Sequence, residues 1–571
     1  MSRGTCGGRS RQARAIAMAA VLVAGSAAGQ EVPGGAPASV DKLLERLEAL
    51  EKRDAENAAL REQVRVLQER LEKLEGTPKL DGDDGDAGPA GVPPAATGKP
   101  DDGPPRVDFA TVAGGSVEAG AEPDSGWTEV GKNLDMKATW NNGVQFATGD
   151  DAFRFHIGGR VDFDSAWFRQ DSNLLVGDTD TDRLRDGGDF RRMRLRADGR
   201  FWDNVDFVFE VNFANFQDFS NAGQQVTIGS VGLTDVNVTF RDLPVLGNLK
   251  IGHLLPPISL EHMTSSNYVY YMERSPAFDA FINRFDYANG VNAFDTFLDD
   301  HATLSAAFLR TGSRTVNPFG AGAGNGEYGG AIRATYLPIY KDEGRRLVHL
   351  GVSFMRRALD EDSTSPSDRS LVRSGAGREI PNVMATGRFF APRGQYYINP
   401  EIAAIFGRWS MSAEYLFTGL PETYARQLNR NVFLDPRGSA FFQGLYAEMG
   451  YFLTEGDHRR YNRKLGAFDR TVPLENAWIM KTGRGRPSVG RGAVQALARY
   501  SFLDLVSGNP SLTPNAGARA GIEHDMTLGL AWYLNSQANI QLNYVRTYIN
   551  SVVRGASGDF DALGVRVHFD F

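Results

Sequence analysis

Residues 150–571 of this chain read as an all-β fold, a transmembrane antiparallel β-barrel of about 16 strands, preceded by an N-terminal α-helical coiled coil and a disordered linker. Three observations predict it. Alternation of apolar and polar side chains recurs from Phe153 to Phe571, the period of a strand with one face in an apolar medium and the other in water. The alternating runs are close to the length that crosses a bilayer at a tilt, with Trp167, Phe201, Tyr415 and Trp532 near apolar ends, where interfacial aromatics belong. Short connections such as Asp203-Asn204, Gly407-Arg408 and Asn535-Ser536-Gln537 alternate with long ones, as turns and loops do in a membrane barrel. A soluble sandwich or propeller also strings short strands together; the strand lengths with their aromatic ends, the alternating connections, and a final strand ending in Phe571 whose exposed edge barrel closure would remove favour the membrane barrel over it.

Residues 1–29 read as a secretory signal peptide. Arg3, Arg9, Arg11 and Arg14 precede a mostly apolar run of small residues, and Ala27-Ala28-Gly29 supplies the cleavage context. That run is too short for a permanent membrane helix, and no later stretch reaches the roughly 20 apolar residues one needs. The single cysteine, Cys6, excludes a disulfide framework and a cysteine-built metal site.

Residues 40–75 carry a heptad seam through Val40, Leu43, Leu47 and Leu50, resumed by Asn57, Leu60, Val64, Leu67, Leu71 and Leu74. The halves are offset by three residues around Asp54, which resembles a stammer. So narrow a stripe implies self-association, with Asn57 at an a-type position to fix register; the other reading is a solvated single helix, marginal at this length. Residues 76–126 break every periodicity. Gly82, Gly85, Gly88 and Gly91 recur at collagen spacing, but the run is too short for a triple helix and predicts a flexible, extended linker. Residues 127–150 suggest no function.

The strands follow in order. Phe153, Phe155, Ile157, Val161, Phe163 and Trp167 oppose Arg154, His156, Arg160, Asp162 and Asp164. In 191–201, Met193, Leu195, Ala197, Gly199 and Phe201 oppose Arg192, Arg194, Arg196, Asp198 and Arg200. Val205, Phe207, Phe209, Val211 and Phe213 oppose Asp206, Glu210 and Asn212, and the same division continues through Val236–Val238–Phe240, Leu249–Ile251, Leu304–Phe308, Ile332–Tyr336, Val348–Phe354, Trp409–Phe417, Val494–Tyr500, Met526–Trp532, Ile540–Tyr544 and Leu563–Phe571. Weaker runs lie near 291–297, 396–405 and 445–453. By parity the connection 454–490 falls on the side of the short turns although it is long, so either the strand count slips there or the barrel carries an unusual periplasmic excursion.

A net charge of -8 and a pI near 5.7 argue against a globally basic nucleic-acid binder, so any anion-attracting field is local. With the apolar faces in lipid, Arg160, Arg192, Arg194, Arg196, Arg200 and Lys250 point into the lumen on consecutive early strands. Guanidinium suits phosphate, sulfate and carboxylate oxygens, and like charges in a narrow channel raise the local anion concentration. The opposing reading is a neutralised wall, in which Asp162, Asp206, Asp235 and Glu210 quench the cations. The long connection 254–288 is placed to fold inward and narrow the pore, offering hydroxyls from Ser265, Ser266, Tyr268 and Tyr271 and charge from Arg274 and Arg284.

Several stretches together resemble the phosphate-selective porin O and P family of bacterial outer membranes. They are I-G-G-R-V-D-F-D (157–164), F-R-R-M-R-L (190–195), T-S-S-N-Y with Y-M-E-R-S (264–275), G-L-Y-A-E-M-G-Y-F-L-T-E-G (444–456), A-R-Y-S-F-L-D-L (498–505) and L-A-W-Y-L-N with L-N-Y (530–544). The resemblance covers most of 150–571. It implies a homotrimeric sixteen-strand barrel in outer-membrane lipid, with an arginine ladder leading small anions such as phosphate to a constriction where arginines and a lysine bind them. By position Arg191, Arg192 and Lys250 match that set, while the remaining lumen arginines extend it. Alternation places Arg192 in mid-lumen and Arg191 at the rim. The order Y-F-L-T-E-G departs from the family's usual L-T-G-E, and nothing in phosphate selection requires the coiled coil.

An enzyme is not expected, since no cysteine nucleophile, H-E-x-x-H or Walker loop occurs and no coherent Ser/His/carboxylate set shares a strand face. No cofactor or metal and no nucleic-acid partner is expected. The competing reading is structural: with its N-terminal segment in the periplasm, the coiled coil tethers the outer membrane to another envelope layer and the pore is non-selective.

Overall fold

The computed structural model describes residues 135–174, 183–214, 217–219, 226–228, 232–282, 287–310, 327–374, 380–429, 432–481, 489–506 and 519–571. The expected signal peptide, coiled coil and linker lie outside the described residues.

Each expected strand is present, and their bounds are β1 Phe153–Gln170, β2 Gly187–Phe201, β3 Val205–Asn212, β4 Gly232–Leu243, β5 Gly247–Leu254, β6 Ala288–Phe297, β7 Ala302–Arg310 and β8 Tyr328–Lys341. They continue as β9 Arg346–Arg357, β10 Gln395–Phe406, β11 Trp409–Asn429, β12 Val432–Phe452, β13 Ala493–Asp504, β14 Gly521–Tyr533, β15 Ala538–Ser551 and β16 Gly558–Asp570. Every strand pairs antiparallel with its neighbours in sequence, and β16 returns onto β1 with Phe569 opposite Val161, so the sheet closes. Closure leaves no unpaired edge inside a bilayer, where an unpaired backbone group has no water to turn to. A hairpin, Met136–Trp140 with Val144–Thr148, adds to the start of β1 ahead of the stretch that β16 covers. Its alternation (Val144, Phe146, Thr148) was present in a segment for which the sequence suggested no role.

The wall is inside out relative to a soluble protein. On β14, Leu528 is 56 % exposed while the adjacent Thr527 is 1 % exposed, and on β2 Leu195 faces outward between inward arginines. Period-two alternation therefore puts apolar side chains where lipid lies and polar ones where neighbouring side chains and water can satisfy them. Close packing of the wall fixes particular residues: a Cβ on Gly199 would stand 2.0 Å from the Arg154 carbonyl oxygen of the paired strand.

Among the described residues, three connections fill the interior. Residues 255–282 and 358–374 with 380–394 enter from the end opposite the short turns. The first contains two short helices, α1 Leu260–Met263 and α2 Pro276–Phe281. Their starts are readable in the sequence, with Ser259 and Ser275 as N-caps accepting from the His262 and Phe278 amides and Pro276 opening α2. Wall residue Glu414 completes the first cap, taking the Leu260 and Glu261 amides at 3.0 and 2.7 Å. The inward fold expected for 254–288 is what the chain adopts.

The third connection, 453–492, starts from the opposite end. Parity holds, and the segment is an excursion from the short-turn side that folds up into the lumen. Arg345 donates to Gly456 O at 3.1 Å and Arg470 to Ser536 O at 2.5 Å, which ties its base to two turns, while Arg463, in the turn of the segment's hairpin, donates to the Asp299 carbonyl of a third. Its hairpin, Arg460–Asn462 with Ala467–Asp469, lies against α1 and the inner faces of β8–β10.

Apolar cores form inside the barrel where these segments meet the wall. Phe278, Phe281, Leu371, Val372 and Met384 pack with inward-facing Leu309, Met355, Val545 and Phe560. Leu260, Ala467 and Phe468 pack with Leu337, Leu347 and Ile405.

Candidate functional site: the polar wall of the lumen

The cations named from the early strands do face inward, and most meet a carboxylate. Arg192 Nη1 donates to Asp162 at 3.2 Å, Arg194 Nη1 to Glu210 at 2.7 Å, Arg196 Nε to Asp198 at 2.8 Å and Arg200 Nε to Asp206 at 2.6 Å. The quenching carboxylates Asp162, Asp206 and Glu210 thus act much as the neutralised-wall reading expected, and Asp198 joins them. Arg160 reaches across the lumen to the inward segment, donating to Ser266 Oγ at 2.9 Å and to Asn267 Oδ1. Lys250 makes no ion pair among the described residues and lies 5.8 Å over the Phe294 ring.

Strict alternation fails at Arg191. Pairing between β1 and β2 slips there, with Asp162 opposite Arg192 and Phe163 opposite Phe190, so Arg191 is an extra residue on the bulged strand. Phe190 and Met193 face outward, while Arg191 and Arg192 both turn inward. Arg191 is therefore not a rim residue: its guanidinium forks onto Glu273 of the inward segment, at 2.6 and 3.0 Å.

Two further candidates change status. Arg274 is an internal brace, donating to the Glu261 and Thr264 carbonyls at 3.0 Å each and stacking over Phe278. Its charge holds the turn between α1 and α2 because those carbonyls have no strand partner. Arg284 lies outside the described residues. Of the hydroxyls, Ser266 contacts Arg160 and Ser265 caps the Asn267 amide.

Solvent reaches the two sides of the lumen unequally. The Arg196 and Arg200 side chains are 36 % and 26 % exposed, whereas those of Arg333 on β8, Arg499 on β13 and Arg566 on β16 are 3 %, 1 % and 3 % exposed. The wall from β8 to β16 is covered by the inward segments; on β2 Arg191, Arg192 and Arg194 are largely buried as well, and only the half nearer the short turn, with Arg196 and Arg200, is open to solvent. These deeper arginines were legible as inward-facing, since Arg333, Arg499 and Arg566 sit in recognised alternating strands. Their carboxylate partners were not: Arg566 forks onto Asp164 at 2.7 and 2.6 Å, 402 positions away.

A closed barrel with an apolar exterior, a polar interior and a lumen narrowed by inward segments is the architecture of an outer-membrane porin. This chain belongs to the family described as phosphate-selective porin O and P, whose sequence profile matches residues 155–571. It is accordingly an outer-membrane porin channel. Porin O of Pseudomonas aeruginosa is 26 % identical over 447 residues, covering 75 % of this chain and 91 % of that protein. Among solved structures, the outer-membrane channel DcaP of Acinetobacter baumannii aligns with a TM-score of 0.42 at 11 % identity, over 74 % of this chain and 98 % of that one. An anion-selective porin from Comamonas acidovorans aligns with a TM-score of 0.38 at 11 % identity, over 73 % and 100 %.

Proposed function

We propose that the channel passes small anions of the phosphate type along the wall of β2–β5, with Arg196, Arg200 and Lys250 as the charges a solute meets. The observation that carries this is the unequal exposure: among the wall arginines that face the lumen, those that water reaches, such as Arg196 and Arg200, lie on the early strands. Arg196 is hydrogen-bonded through Nε alone, with Nη1 3.9 Å from Glu210, and Lys250 makes no direct ion pair among the described residues, Asp235 acting on it only at longer range, so both keep donors for a passing oxyanion. Arg191, Arg192 and Arg160 sit deeper, where the inward segment 255–282 narrows the passage, and shape it through their fixed partners. Membership of a family described as phosphate-selective supports the solute class. The same reading makes the functional unit a homotrimer in outer-membrane lipid, with the seam at 40–75 helping to assemble three copies in the periplasm and 76–126 as the spacer to the barrel, after removal of 1–29.

The test is reversal potential across planar bilayers under a KCl gradient, with phosphate block of the chloride current. Wild type is expected to prefer anions, and Arg196→Ala and Lys250→Ala each to lower that preference and weaken block by phosphate. Arg192→Ala should change conductance more than selectivity, because its charge is already paired. A wild-type pore that prefers cations ends the reading.

A further inference from the structure

The bulge at Arg191 has a partner that the porin reading does not use. Glu273, in the stretch Y-M-E-R-S, is 5 % exposed and receives guanidinium groups from three separate elements. Arg191 of β2 approaches Oε1 through Nε at 2.6 Å and Oε2 through Nη2 at 3.0 Å. Arg566 of β16 reaches Oε1 at 3.3 Å, and Arg373 of the inward segment 358–394 reaches Oε2 at 3.2 Å. Each carboxylate oxygen therefore has two guanidinium nitrogens around it. Burial opposes ionisation of Glu273, but Arg191 and Arg373 outweigh it and hold the carboxyl well below the usual range, which favours its anionic form.

The other two guanidiniums have carboxylates of their own, Arg566 with Asp164 and Arg373 with Asp279. Glu273 is the one carboxylate that Arg191 meets among the described residues. A carboxylate and a phosphate or sulfate present a pair of oxygens to a guanidinium fork in the same way. One fork, from Arg191, and a single nitrogen from each of two further guanidiniums converge on one pair of oxygens and make a nest for a small oxyanion, and here the protein's own side chain fills it.

We infer that Glu273 is a resident surrogate anion that sets solute specificity: its carboxylate occupies a three-arginine oxyanion site and keeps a transported anion from being trapped there. This rests on the anion-channel reading and deepens it. With Glu273 in place, solutes meet only the more exposed charges of β2–β5 and pass quickly. With its charge removed, the nest becomes a binding site for phosphate.

The experiment compares wild type, Glu273→Ala, Glu273→Asp and the double variant Arg191→Gln/Glu273→Ala, using phosphate block of chloride current through single channels. Glu273→Ala, which removes the charge and vacates the space, is expected to lower the half-blocking phosphate concentration about tenfold or more, the scale of one or two charge-assisted hydrogen bonds. Glu273→Asp should behave as wild type, and the double variant should lose the gain. Block that is unchanged in Glu273→Ala, or equally strengthened in the double variant, overturns the inference. Should the Ala variant fold poorly, it is refolded in detergent with phosphate or with chloride at equal ionic strength. Yield and unfolding midpoint that rise with phosphate in the variant, but not in wild type, support the nest, and no phosphate dependence refutes it. Wild-type reversal potential separates the two ideas, since a cation-preferring wild type defeats the anion reading whatever the Ala variant does.

Discussion

Replacing Arg333 by Met should release the excursion 453–492 from the lumen. Arg333 on β8 donates Nη1 to Leu465 O at 3.1 Å and Nη2 to Gly466 O at 2.7 Å, and it pairs with buried Glu401 at 2.5 Å. Those two carbonyls belong to the tip of the excursion's hairpin. Hydrogen bonds from a charged donor are worth about 1.5–3 kcal/mol each, so the docked state loses on the order of 3 kcal/mol at least. Glu401 is then left with His349 as its remaining polar partner, Nε2 at 3.1 Å, and regains hydration only when the hairpin leaves, which pushes the equilibrium the same way. About 3 kcal/mol is roughly a 100-fold rise in the undocked population. Single-channel recordings should show brief excursions to a larger conductance that become roughly 100-fold more frequent. The double variant Arg333→Met/Glu401→Leu should recover part of the docked state, because no buried charge is then left unpaired. A variant trace and unfolding midpoint that match wild type would refute the reasoning, as would a double variant no better than the single.

Other outcomes follow from the same structure. Asp368, in 358–394, is fully buried, and Glu523 and Asp525 of β14, Asp279 of α2 and Arg373 surround it. Burial, then Asp279 and Asp525, raise its pKa well above 3.8. A raised carboxyl pKa means that its contribution is intact below the unfolded value and is lost as pH climbs through the folded one. The wild-type unfolding midpoint should therefore fall as pH rises from about 4 upward, and Asp368→Asn should flatten that slope when melting is followed by circular dichroism. Gly199→Val should cost about 3 kcal/mol or prevent closure, seen as loss of the compact, heat-modifiable band in electrophoresis of unheated samples. Deleting 40–126 should dissociate trimers in mild detergent and leave the conductance of each barrel unchanged; intact trimers in a blebbing envelope would favour the tether.

The strands were legible because lipid on one side and water on the other impose period two, and nothing else in this chain imitates it for so long. Inward orientation of Arg192, Arg194, Arg196 and Arg200 followed from the same count. The bulge at Arg191 did not, because it is set by how β1 pairs with β2, and one strand's sequence carries no record of its partner's register. Inward apolar residues such as Leu309, Met355 and Phe560 were harder still: in a water-filled lumen they would be errors, and they make sense only once α2 and the 358–394 segment pack against them. Partnership was the least legible property. Arg566 with Asp164, or Arg333 with the Gly466 carbonyl, are brought together by closure and infolding and not by spacing.

The hairpin of β11 and β12 runs 21 residues on each side, and its register continues to Asn429 opposite Val432. At about 3.3 Å per residue and a tilt near 45°, such a strand rises roughly 50 Å, about twice the apolar band of an outer-membrane barrel. Half of it therefore stands clear of the lipid on the loop side. An epitope spliced between Asn429 and Val432 would be displayed on intact cells without disturbing a lumen contact, so antibody staining there would report directly that the barrel has assembled and which way it faces.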